Sequence, residues 1–314
     1  MIVVHNNTKK KYSELAENIA QRLTAPIIKI PLQHFVDNET YVSSFDIQKI
    51  AGQKLFLIHQ FFHTTCEEFT PINAQIFDFL FIAHLLKACK ASAITTLLPY
   101  LPYSRQDKSD IKEIKGALHF IGKTFACQGI HDIICTDLHS SHAKGLMGGS
   151  LHSIGLEEFW AEHIKENILP EHTNICLASP DLGGKARIEK IAKILGLEFI
   201  SMEKTRIGPD ESIPLPLSHN VEGKTIIIVD DILDTGKTAL NACALLIKHG
   251  ATEVFGCFSH AVFSFEAQSL IEKSPFSKIY LTDTILFDDS LLSKKFQKVS
   301  INTFLSKKIS GLLS

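Results

Sequence analysis

The sequence predicts an α/β protein of two domains, each a mainly parallel sheet flanked by helices. Its 314 residues are enough for two separate hydrophobic cores. Short apolar runs without polar alternation alternate with helical patterns, which is typical of strands buried on both faces of a parallel sheet. This rhythm occurs twice, so we predict domains at residues 1–150 and 151–314, divided at the glycine-rich stretch 148–150.

In the first predicted domain, apolar runs indicate strands at residues 55–58, 93–98 and 133–135. A helix after Pro71 is expected to have its apolar face formed by Ile76, Phe77, Leu80 and Phe81. A second helix is expected to stop near Gly129, because glycine commonly ends helices.

The second predicted domain repeats the pattern, with strands at residues 175–178, 225–229, 254–255 and 279–281. One helix keeps apolar spacing from Ile188 to Leu195, and Gly196 closes it. The next helix ends at Gly250, and its apolar face is expected to consist of Leu240, Cys243, Ala244 and Ile247.

Composition and charge exclude several classes of function. Charged residues make up 21% and the net charge is -2, so the chain has no overall basic field that would hold nucleic acid. No apolar run approaches the ~20 residues of a membrane helix, and the N-terminal one is too short for a signal peptide. The 7 cysteines include no CxxC pair, so we expect free thiols. These features predict a cytoplasmic protein that binds neither nucleic acid nor membrane.

The most informative segment follows the predicted strand at 225–229. Asp230 and Asp231 come directly after it, and a turn containing Gly236 then leads into a helix. Backbone N–H groups at the start of that helix, residues 235–238, would attract an anion. Two adjacent carboxylates suit the vicinal hydroxyls of a sugar. The pattern indicates a sugar-phosphate site; the alternative is a solvated acidic strand end followed by a helix cap.

This segment resembles the 5-phosphoribosyl 1-pyrophosphate (PRPP) motif that phosphoribosyltransferases share with ribose-phosphate pyrophosphokinases. The resemblance implies ribose 5-phosphate binding by Asp230, Asp231, Asp234, Thr235, Gly236, Lys237 and Thr238. The pair Gly236-Lys237 is closer to the transferases, because the pyrophosphokinases usually carry a small residue and then glycine there. The motif alone leaves both families open.

A second loop follows the predicted strand at 93–98. An arginine fork and a lysine suit a polyphosphate, although a surface turn with solvated charges is the alternative. Residues 99–108 strongly resemble the pyrophosphokinase loop that ends in Arg-Gln-Asp-Lys. That resemblance implies contacts to the phosphates of ATP from Arg105, Gln106, Asp107 and Lys108.

Two further segments resemble the same family at predicted strand ends. Residues 136–142 contain Asp-Leu-His, which implies that His139 takes part in a magnesium–ATP site. A lone histidine is more often structural, and that alternative stays open. Residues 179–184 resemble a Ser-Pro-Asp-x-Gly-Gly turn, which implies that Asp181 helps to hold magnesium and ribose 5-phosphate. Magnesium prefers such hard oxygen ligands.

Two loops complete the resemblance. Lys204 and Arg206 match the Lys-x-Arg opening of the family's flexible catalytic loop, although alone they would indicate solvated charges. Residues 35–39 resemble a Phe-x-Asp-Gly-Glu loop, with Asn38 in place of glycine. In the family this loop reaches a neighbouring subunit and binds adenine. The resemblance therefore implies at least a dimer and ATP contacts from Phe35, Asp37 and Glu39.

The matched segments occur in family order along nearly the whole chain. They imply a ribose-phosphate pyrophosphokinase with two phosphoribosyltransferase-like domains, dependent on Mg²⁺ and assembled as a homodimer or homohexamer. Such an enzyme transfers the β,γ-pyrophosphoryl group of ATP to the 1-hydroxyl of ribose 5-phosphate, giving PRPP and AMP. A phosphoribosyltransferase does not account for the Arg105 loop. A non-catalytic regulatory subunit predicts decay of catalytic positions that are present here.

Two positions depart from the family's phosphate-activated members. Glu113 and Ala51 stand where arginines of a regulatory site for phosphate and ADP are expected. The loss of two cations weakens an anion site, and a glutamate would repel the anion. We therefore expect little dependence on free phosphate and weak inhibition by ADP at that site.

Overall fold

The strands and helices of the chain follow the predicted alternation. A computed structural model describes residues 1–6, 10–62, 71–106, 116–202, 204–206, 212–214, 219–264, 266–287 and 293–313. The strands are β1 (Ile2–His5), β2 (Ile27–Lys29), β3 (Leu32–His34), β4 (Thr40–Val42), β5 (Lys54–Ile58), β6 (Ala93–Leu98), β7 (Ile130–Thr136), β8 (Ser150–Ile154), β9 (Ile175–Ser179), β10 (Glu198–Ser201), β11 (Lys204–Arg206), β12 (Ser212–Pro214), β13 (Thr225–Leu233), β14 (Glu253–Ala261), β15 (Lys278–Thr282) and β16 (Phe296–Val299). The helices are α1 (Lys10–Arg22), α2 (Ile72–Ala88), α3 (Ala117–Cys127), α4 (Glu157–Asn167), α5 (Lys185–Leu195), α6 (Lys237–Lys248), α7 (Ala267–Glu272) and α8 (Asn302–Leu313).

The chain forms two compact units. Unit 1 comprises Met1–Ile154, Thr284–Leu286 and Ile301–Ser314, and unit 2 comprises Gly155–Asp283 and Phe287–Ser300. The division falls after Ile154, whereas the sequence suggested residue 150, because β8 is the last strand of the first sheet. Residues 301–314 belong to unit 1, although the predicted second domain extended to the end of the chain. Their helix α8 packs against α1, where Arg22 Nε donates to Ser306 Oγ at 2.9 Å.

Each unit contains one six-stranded parallel sheet. The order is β2-β1-β5-β6-β7-β8 in unit 1 and β10-β9-β13-β14-β15-β16 in unit 2. In both sheets the second strand in sequence lies outside the first, and the others follow on the first strand's opposite side. The order reverses between β1 and β5, and again between β9 and β13. Ligands of open parallel sheets bind beyond the carboxyl ends of strands at such switch points. The predicted α/β class is confirmed.

The faces that two helices bury differ from those predicted. In α2, Phe77 is exposed, and Leu80 and Phe81 are half-buried; the buried apolar residues are Ile76, Phe79, Ile82, Ala83 and Leu86. In α6, Ala244 is exposed and Cys243 is the predicted residue that is buried, together with Ala239, Ala242 and Leu246. Apolar residues lie on several sides of α2, so their spacing alone did not identify the packed side.

Two further expectations concern the chain as a whole. No helix in the described parts of the chain is long and apolar enough to cross a membrane. The described cysteines are free thiols, and the buried ones are Cys135, Cys176, Cys243 and Cys257. The remaining cysteine, Cys66, lies outside the described residues.

Candidate active site

Strand β13 carries Asp230 and Asp231 past the end of its neighbour. Its pairing with β9 stops at Ile228, whereas its pairing with β14 continues to Leu233. The predicted strand end at Val229 was therefore too early, because the strand loses its partner on one side only. Both aspartates lie at the switch point of unit 2, beyond the last residue of β13 that pairs with β9.

A left-handed glycine joins β13 to helix α6. Gly236 has a φ of 77°, and a Cβ added there would lie 3.1 Å from Ile271 Cδ1, so both the backbone and the available space favour glycine. The Lys237 N–H donates to Thr235 Oγ1 at 3.4 Å. Other N–H groups in the first turn of α6 have no carbonyl partner within the helix. Together with the helix dipole, they suit the predicted 5-phosphate position, where Lys237 is exposed and Asp234, Thr235 and Thr238 are half-buried.

Asp181 shapes the turn after β9. Its Oδ1 accepts hydrogen bonds from the N–H groups of Gly183 at 2.9 Å and Gly184 at 3.3 Å. Its carbonyl oxygen accepts from the hydroxyls of Ser179 at 2.8 Å and Ser201 at 3.1 Å. The carboxylate thus caps the short helical turn that leads into α5, a role that the sequence did not indicate. Its predicted role towards magnesium and ribose 5-phosphate remains a prediction.

Arg187 on helix α5 is a site residue that the sequence analysis missed. Its Nη1 lies 3.3 Å from Asp230 Oδ1 and its Nη2 lies 3.7 Å from Asp231 Oδ2. Burial, and next the neighbouring Asp231, raise the pKa of Asp230 well above its usual value, and Arg187 opposes that rise. Two buried adjacent carboxylates require a neighbouring cation. The pair Asp230-Asp231 after a buried strand therefore indicated that a basic side chain lies nearby, although not which one.

The charge at this edge of unit 2 suits a bound cation. Asp181 also contributes to the raised pKa of Asp230, so a third carboxylate acts on the pair that Arg187 contacts. Within the described ranges, no group of three or more His, Cys, Asp or Glu residues could hold a metal by itself. Mg²⁺ commonly binds through one or two carboxylates and completes its shell with water and phosphate oxygens. The donors present therefore fit Mg²⁺ that arrives with a phosphate ligand.

In unit 1, the loop after β6 presents Arg105 and Gln106 to solvent. The loop turns at Tyr103, which has a φ of 62°, and the Gln106 N–H donates to the Tyr103 carbonyl at 2.8 Å. The Tyr103 hydroxyl donates to Asn73 Oδ1 at 2.6 Å, which ties the loop to helix α2. The other two predicted phosphate ligands, Asp107 and Lys108, lie outside the described residues.

His139 lies beyond the carboxyl end of β7 and is exposed. The preceding Asp137 is buried and has a left-handed φ of 43°, and the Leu138 N–H donates to Ser153 Oγ at 3.1 Å. The backbone before His139 is therefore held by the sheet, while its ring is accessible. An exposed ring does not support the structural alternative of a buried core histidine.

The segment 35–39 is the tip of the antiparallel hairpin β3–β4. Asn38 has a φ of 67°, so asparagine occupies a left-handed position that it tolerates better than most side chains, which explains its place in a glycine position. The exposed ring of Phe35 stacks on Tyr41 with centroids 4.3 Å apart. The Glu39 N–H donates to Asp37 Oδ1 at 3.1 Å, which closes the tip.

Lys204 and Arg206 lie on β11, which pairs with β12 as a second antiparallel hairpin. Their backbone places them at the start of the predicted catalytic loop, directly after β10. The side chains of β11 and β12, and residues 207–211 between the strands, lie outside the description of the chain. Their catalytic role stays a prediction.

Comparisons with known proteins agree with the family resemblance of the sequence segments. Residues 2–119 match a family model for the N-terminal domain of ribose phosphate pyrophosphokinase, and residues 199–313 match one for a phosphoribosyl synthetase-associated domain. A ribose-phosphate pyrophosphokinase of Fusobacterium nucleatum is 29% identical over 288 residues, covering 92% of this chain and 87% of the relative. The crystal structure of phosphoribosylpyrophosphate synthetase from Mycobacterium smegmatis, 24% identical, aligns with a TM-score of 0.83 over 99% of this chain and 98% of that one, which shows a shared fold.

Proposed function

Because the chain belongs to the ribose-phosphate pyrophosphokinase family, we propose that it transfers the β,γ-pyrophosphoryl group of ATP to the 1-hydroxyl of ribose 5-phosphate, giving PRPP and AMP. The observation that supports this most is the switch point of unit 2. There a strand that carries two carboxylates is followed directly by an open helix N-terminus. A sugar diol and a phosphate are the groups that these two features recognise.

Ribose 5-phosphate is held at both ends in this proposal. The N–H groups and hydroxyls of residues 235–238 bind the 5-phosphate, and Asp230 and Asp231 accept hydrogen bonds from the ribose hydroxyls. A sugar fixed at two points presents its 1-hydroxyl in one direction. Alignment of this kind supplies much of the rate in phosphoryl-type transfer, where little covalent chemistry falls to the protein.

ATP is bound in the proposal by loops of unit 1. Arg105 and Gln106, with Asp107 and Lys108, neutralise the phosphate chain, because arginine donates through a planar fork and lysine adds a point charge. The ring of Phe35 stacks on adenine of a neighbouring subunit, and Asp37 and Glu39 bind the edge of the base. Stacking of an exposed aromatic ring on a base is sequence-tolerant and favourable.

Charge that develops during transfer is stabilised by Lys204 and Arg206 in this proposal. His139 and Asp181 are the residues proposed to hold Mg²⁺, together with phosphate oxygens. When bound, Mg²⁺ neutralises the phosphates and polarises the phosphorus that is attacked.

The activity is tested by incubating the purified chain with ATP, Mg²⁺ and ribose 5-phosphate and following products by ³¹P NMR. We expect AMP and PRPP to appear in equal amounts, and neither to form when ribose 5-phosphate or Mg²⁺ is omitted. Formation of ADP with no AMP, or no turnover at all, would contradict the proposal.

A phosphoribosyltransferase is the second candidate, because Gly236-Lys237 follows the transferase pattern. It predicts that PRPP and a nucleobase give a nucleotide and pyrophosphate. Incubation with PRPP and each common base tests this directly. A non-catalytic regulatory subunit, the third candidate, would show neither reaction while still binding nucleotide.

The proposed role of Phe35 requires a partner subunit, so we propose a homodimer or homohexamer in the cytoplasm. Light scattering of the purified chain would measure its mass, and a monomer at assay concentration would contradict this assembly. We also propose that free phosphate activates the enzyme little, because Ala51, and Glu113 outside the described residues, replace expected arginines. A steep rise of rate with phosphate concentration would contradict that proposal.

A further inference from the structure

One guanidinium joins both carboxylates of the proposed ribose site. Successive side chains of a strand point to opposite faces of the sheet, yet Arg187 lies 3.3 Å from Asp230 Oδ1 and 3.7 Å from Asp231 Oδ2. Asp230 Oδ1 also accepts from the Asp231 N–H at 3.0 Å. Arg187 therefore contacts one oxygen of each carboxylate, at the strand end where β13 loses its partner β9.

The three side chains are largely removed from water. Arg187, Asp230 and Asp231 have side chains that are 12%, 15% and 7% exposed. Two carboxylates this close and this buried repel each other, and the neighbouring guanidinium favours their ionised forms against that repulsion. Ionised carboxylates accept hydrogen bonds from hydroxyls. The ionisation and direction of the two carboxylates therefore determine which hydroxyls the pair can bind.

Arg187 reaches the pair because the turn before α5 is fixed. The Asp181 carboxylate caps that turn through the N–H groups of Gly183 and Gly184. A Cβ on Gly184 would lie 2.3 Å from Ser179 Oγ and 3.5 Å from Arg187 Nη1. A side chain at Gly184 would collide with Ser179 Oγ, whereas its distance from the guanidinium would be an ordinary contact. The turn that contains Asp181 thus leads directly into the start of α5, where Arg187 lies.

We propose that Arg187 is a positioning residue for the ribose diol, an inference that rests on the proposed binding of ribose 5-phosphate. Its guanidinium fixes the directions of the Asp230 and Asp231 carboxylates before the sugar binds. The planar fork imposes an orientation as well as a charge, which a lysine would not do. A site built to accept hydrogen bonds from particular hydroxyls rejects an analogue that lacks one of them. Arg187 is therefore a determinant of selectivity for ribose over 2-deoxyribose.

The test compares binding of ribose 5-phosphate and 2-deoxyribose 5-phosphate by isothermal titration calorimetry, without ATP. The full chain is used as wild type, Arg187→Met and Arg187→Lys. In Arg187→Met we expect the affinity for ribose 5-phosphate to fall about 10- to 100-fold, the range for a lost hydrogen bond to a charged group. The affinity for the deoxy sugar should fall less, so the ratio of the two affinities shrinks. Arg187→Lys should give an intermediate ratio.

Lys190→Met is the matched control. Lys190 lies on the same helix, is mostly exposed, and pairs with Glu157 Oε1 at 2.8 Å. Its loss removes the same charge from α5 without touching the aspartates. Since the ammonium of Lys190 is in water and contacts neither aspartate, both affinities should stay within about twofold of wild type.

Several results would overturn the inference. One is a folded Arg187→Met variant whose affinities for both sugars equal those of the wild type. Another is equal weakening for both sugars. If Arg187→Met does not fold, a wild-type ratio in Arg187→Lys has the same meaning. Failure of the wild type to bind ribose 5-phosphate would instead count against the proposed function itself.

Discussion

The two units build the same sheet and use its switch point differently. A glycine with a left-handed backbone precedes the third strand of each six-stranded sheet. Gly52 lies before β5 with a φ of 73°, and Gly223 lies before β13 with a φ of 68°. The first residue of each strand pairs with the first residue of the next one. Counting from there, His59 and Gln60 of unit 1 correspond to Asp230 and Asp231 of unit 2.

The corresponding side chains have opposite environments. His59 is 3% exposed, and its ring packs on Phe61 and Phe79 with centroids 4.8 and 5.3 Å away. Its Nδ1 lies 3.1 Å from Asn6 Oδ1. The aspartates instead have their charge offset by Arg187. The backbone provides a switch point in both units, and the side chains that follow the strand decide whether it becomes core or a candidate ligand site.

The hairpins extend the comparison. Each unit inserts an antiparallel pair of three-residue strands after its second sheet strand, β3–β4 in unit 1 and β11–β12 in unit 2. Leu32 opens the first hairpin and Lys204 opens the second. The unit 1 hairpin is proposed to serve adenine, and the unit 2 hairpin the group being transferred.

The largest expected effect is that of Lys204→Ala. If Lys204 stabilises charge in the transition state, kcat should fall about 10²- to 10³-fold, while ATP affinity stays near the wild-type value. Leu32→Ala at the corresponding hairpin position should leave kcat close to wild type. Steady-state kinetics and a nucleotide titration measure both quantities. An unchanged kcat in Lys204→Ala would remove the proposed difference between the hairpins.

Asp231→Asn tests the switch points themselves. An amide has no charge and only one acceptor oxygen, so it pairs less well with Arg187 and with the sugar, and KM for ribose 5-phosphate should rise about 10- to 100-fold. His59→Gln, at the switch point of unit 1, should leave that KM unchanged. An equal rise of this KM in both variants would contradict the assignment of the sugar to the switch point of unit 2 alone.

His59 should make unit 1 sensitive to acid. Burial lowers the pKa of His59 from 6.5 to about 3, so the unfolded chain takes up a proton that the folded chain excludes. The resulting stability is fully present above pH 6.5 and is lost as the pH falls towards 3. At pH 5 the loss is about 2 kcal/mol.

Urea unfolding at pH 7 and pH 5 measures that loss of stability. In His59→Gln the part of the loss that is due to His59, about 2 kcal/mol, should disappear. Unit 2 contains a similar residue, His163, since burial lowers its pKa to about 4. Identical pH profiles for the wild type and His59→Gln would show that His59 is not buried in its neutral form.

Asp230→Asn is expected to stabilise the ligand-free protein. Because the pKa of Asp230 is raised in the folded state, its ionisation opposes folding, and stability is lost as pH rises above the ordinary carboxyl range. At pH 7 the variant should gain about 1 kcal/mol and lose ribose 5-phosphate binding. Thermal unfolding of the wild type and the variant at several pH values measures whether the substitution raises or lowers the stability. A variant that is less stable at pH 7 would mean that Arg187 more than offsets the burial.

A stability effect of similar size is expected at the tip of the unit 1 hairpin. Asn38→Ala should cost about 1 kcal/mol, because alanine tolerates a left-handed backbone poorly, whereas Asn38→Gly should be close to neutral. Denaturant unfolding distinguishes the two. Equal stabilities would indicate that the tip has an ordinary backbone conformation.

The sequence predicted β5, β6 and β7 of the first sheet and β9, β13, β14 and β15 of the second, because an unbroken β-branched run such as 225–229 has few other uses in such a chain. It did not predict the other five strands of these sheets, which are the first strand of the chain and the four at the sheet edges. It did not predict where β13 loses its partner, since that depends on β9 about fifty residues earlier in the chain. It also did not assign α8 to unit 1, because that contact joins the two ends of the chain.

At the candidate site, motif residues on one segment were predictable and contacts between segments were not. Asp230 to Thr238 form a single strand–turn–helix, so their arrangement follows from local rules. Arg187 belongs to an amphipathic helix, where an isolated arginine ordinarily indicates a solvated face. Only the folded arrangement of α5 against β13 shows that it contacts the aspartates.

The central claim is that the switch point of unit 2, and not that of unit 1, binds the sugar phosphate. A crystal structure of the chain with ribose 5-phosphate tests it most directly. We expect the phosphate at the first turn of α6 and the ribose hydroxyls within hydrogen-bond distance of Asp230 and Asp231. Density for the sugar beside His59 and Asn6, with the edge of unit 2 occupied by water alone, would contradict the account.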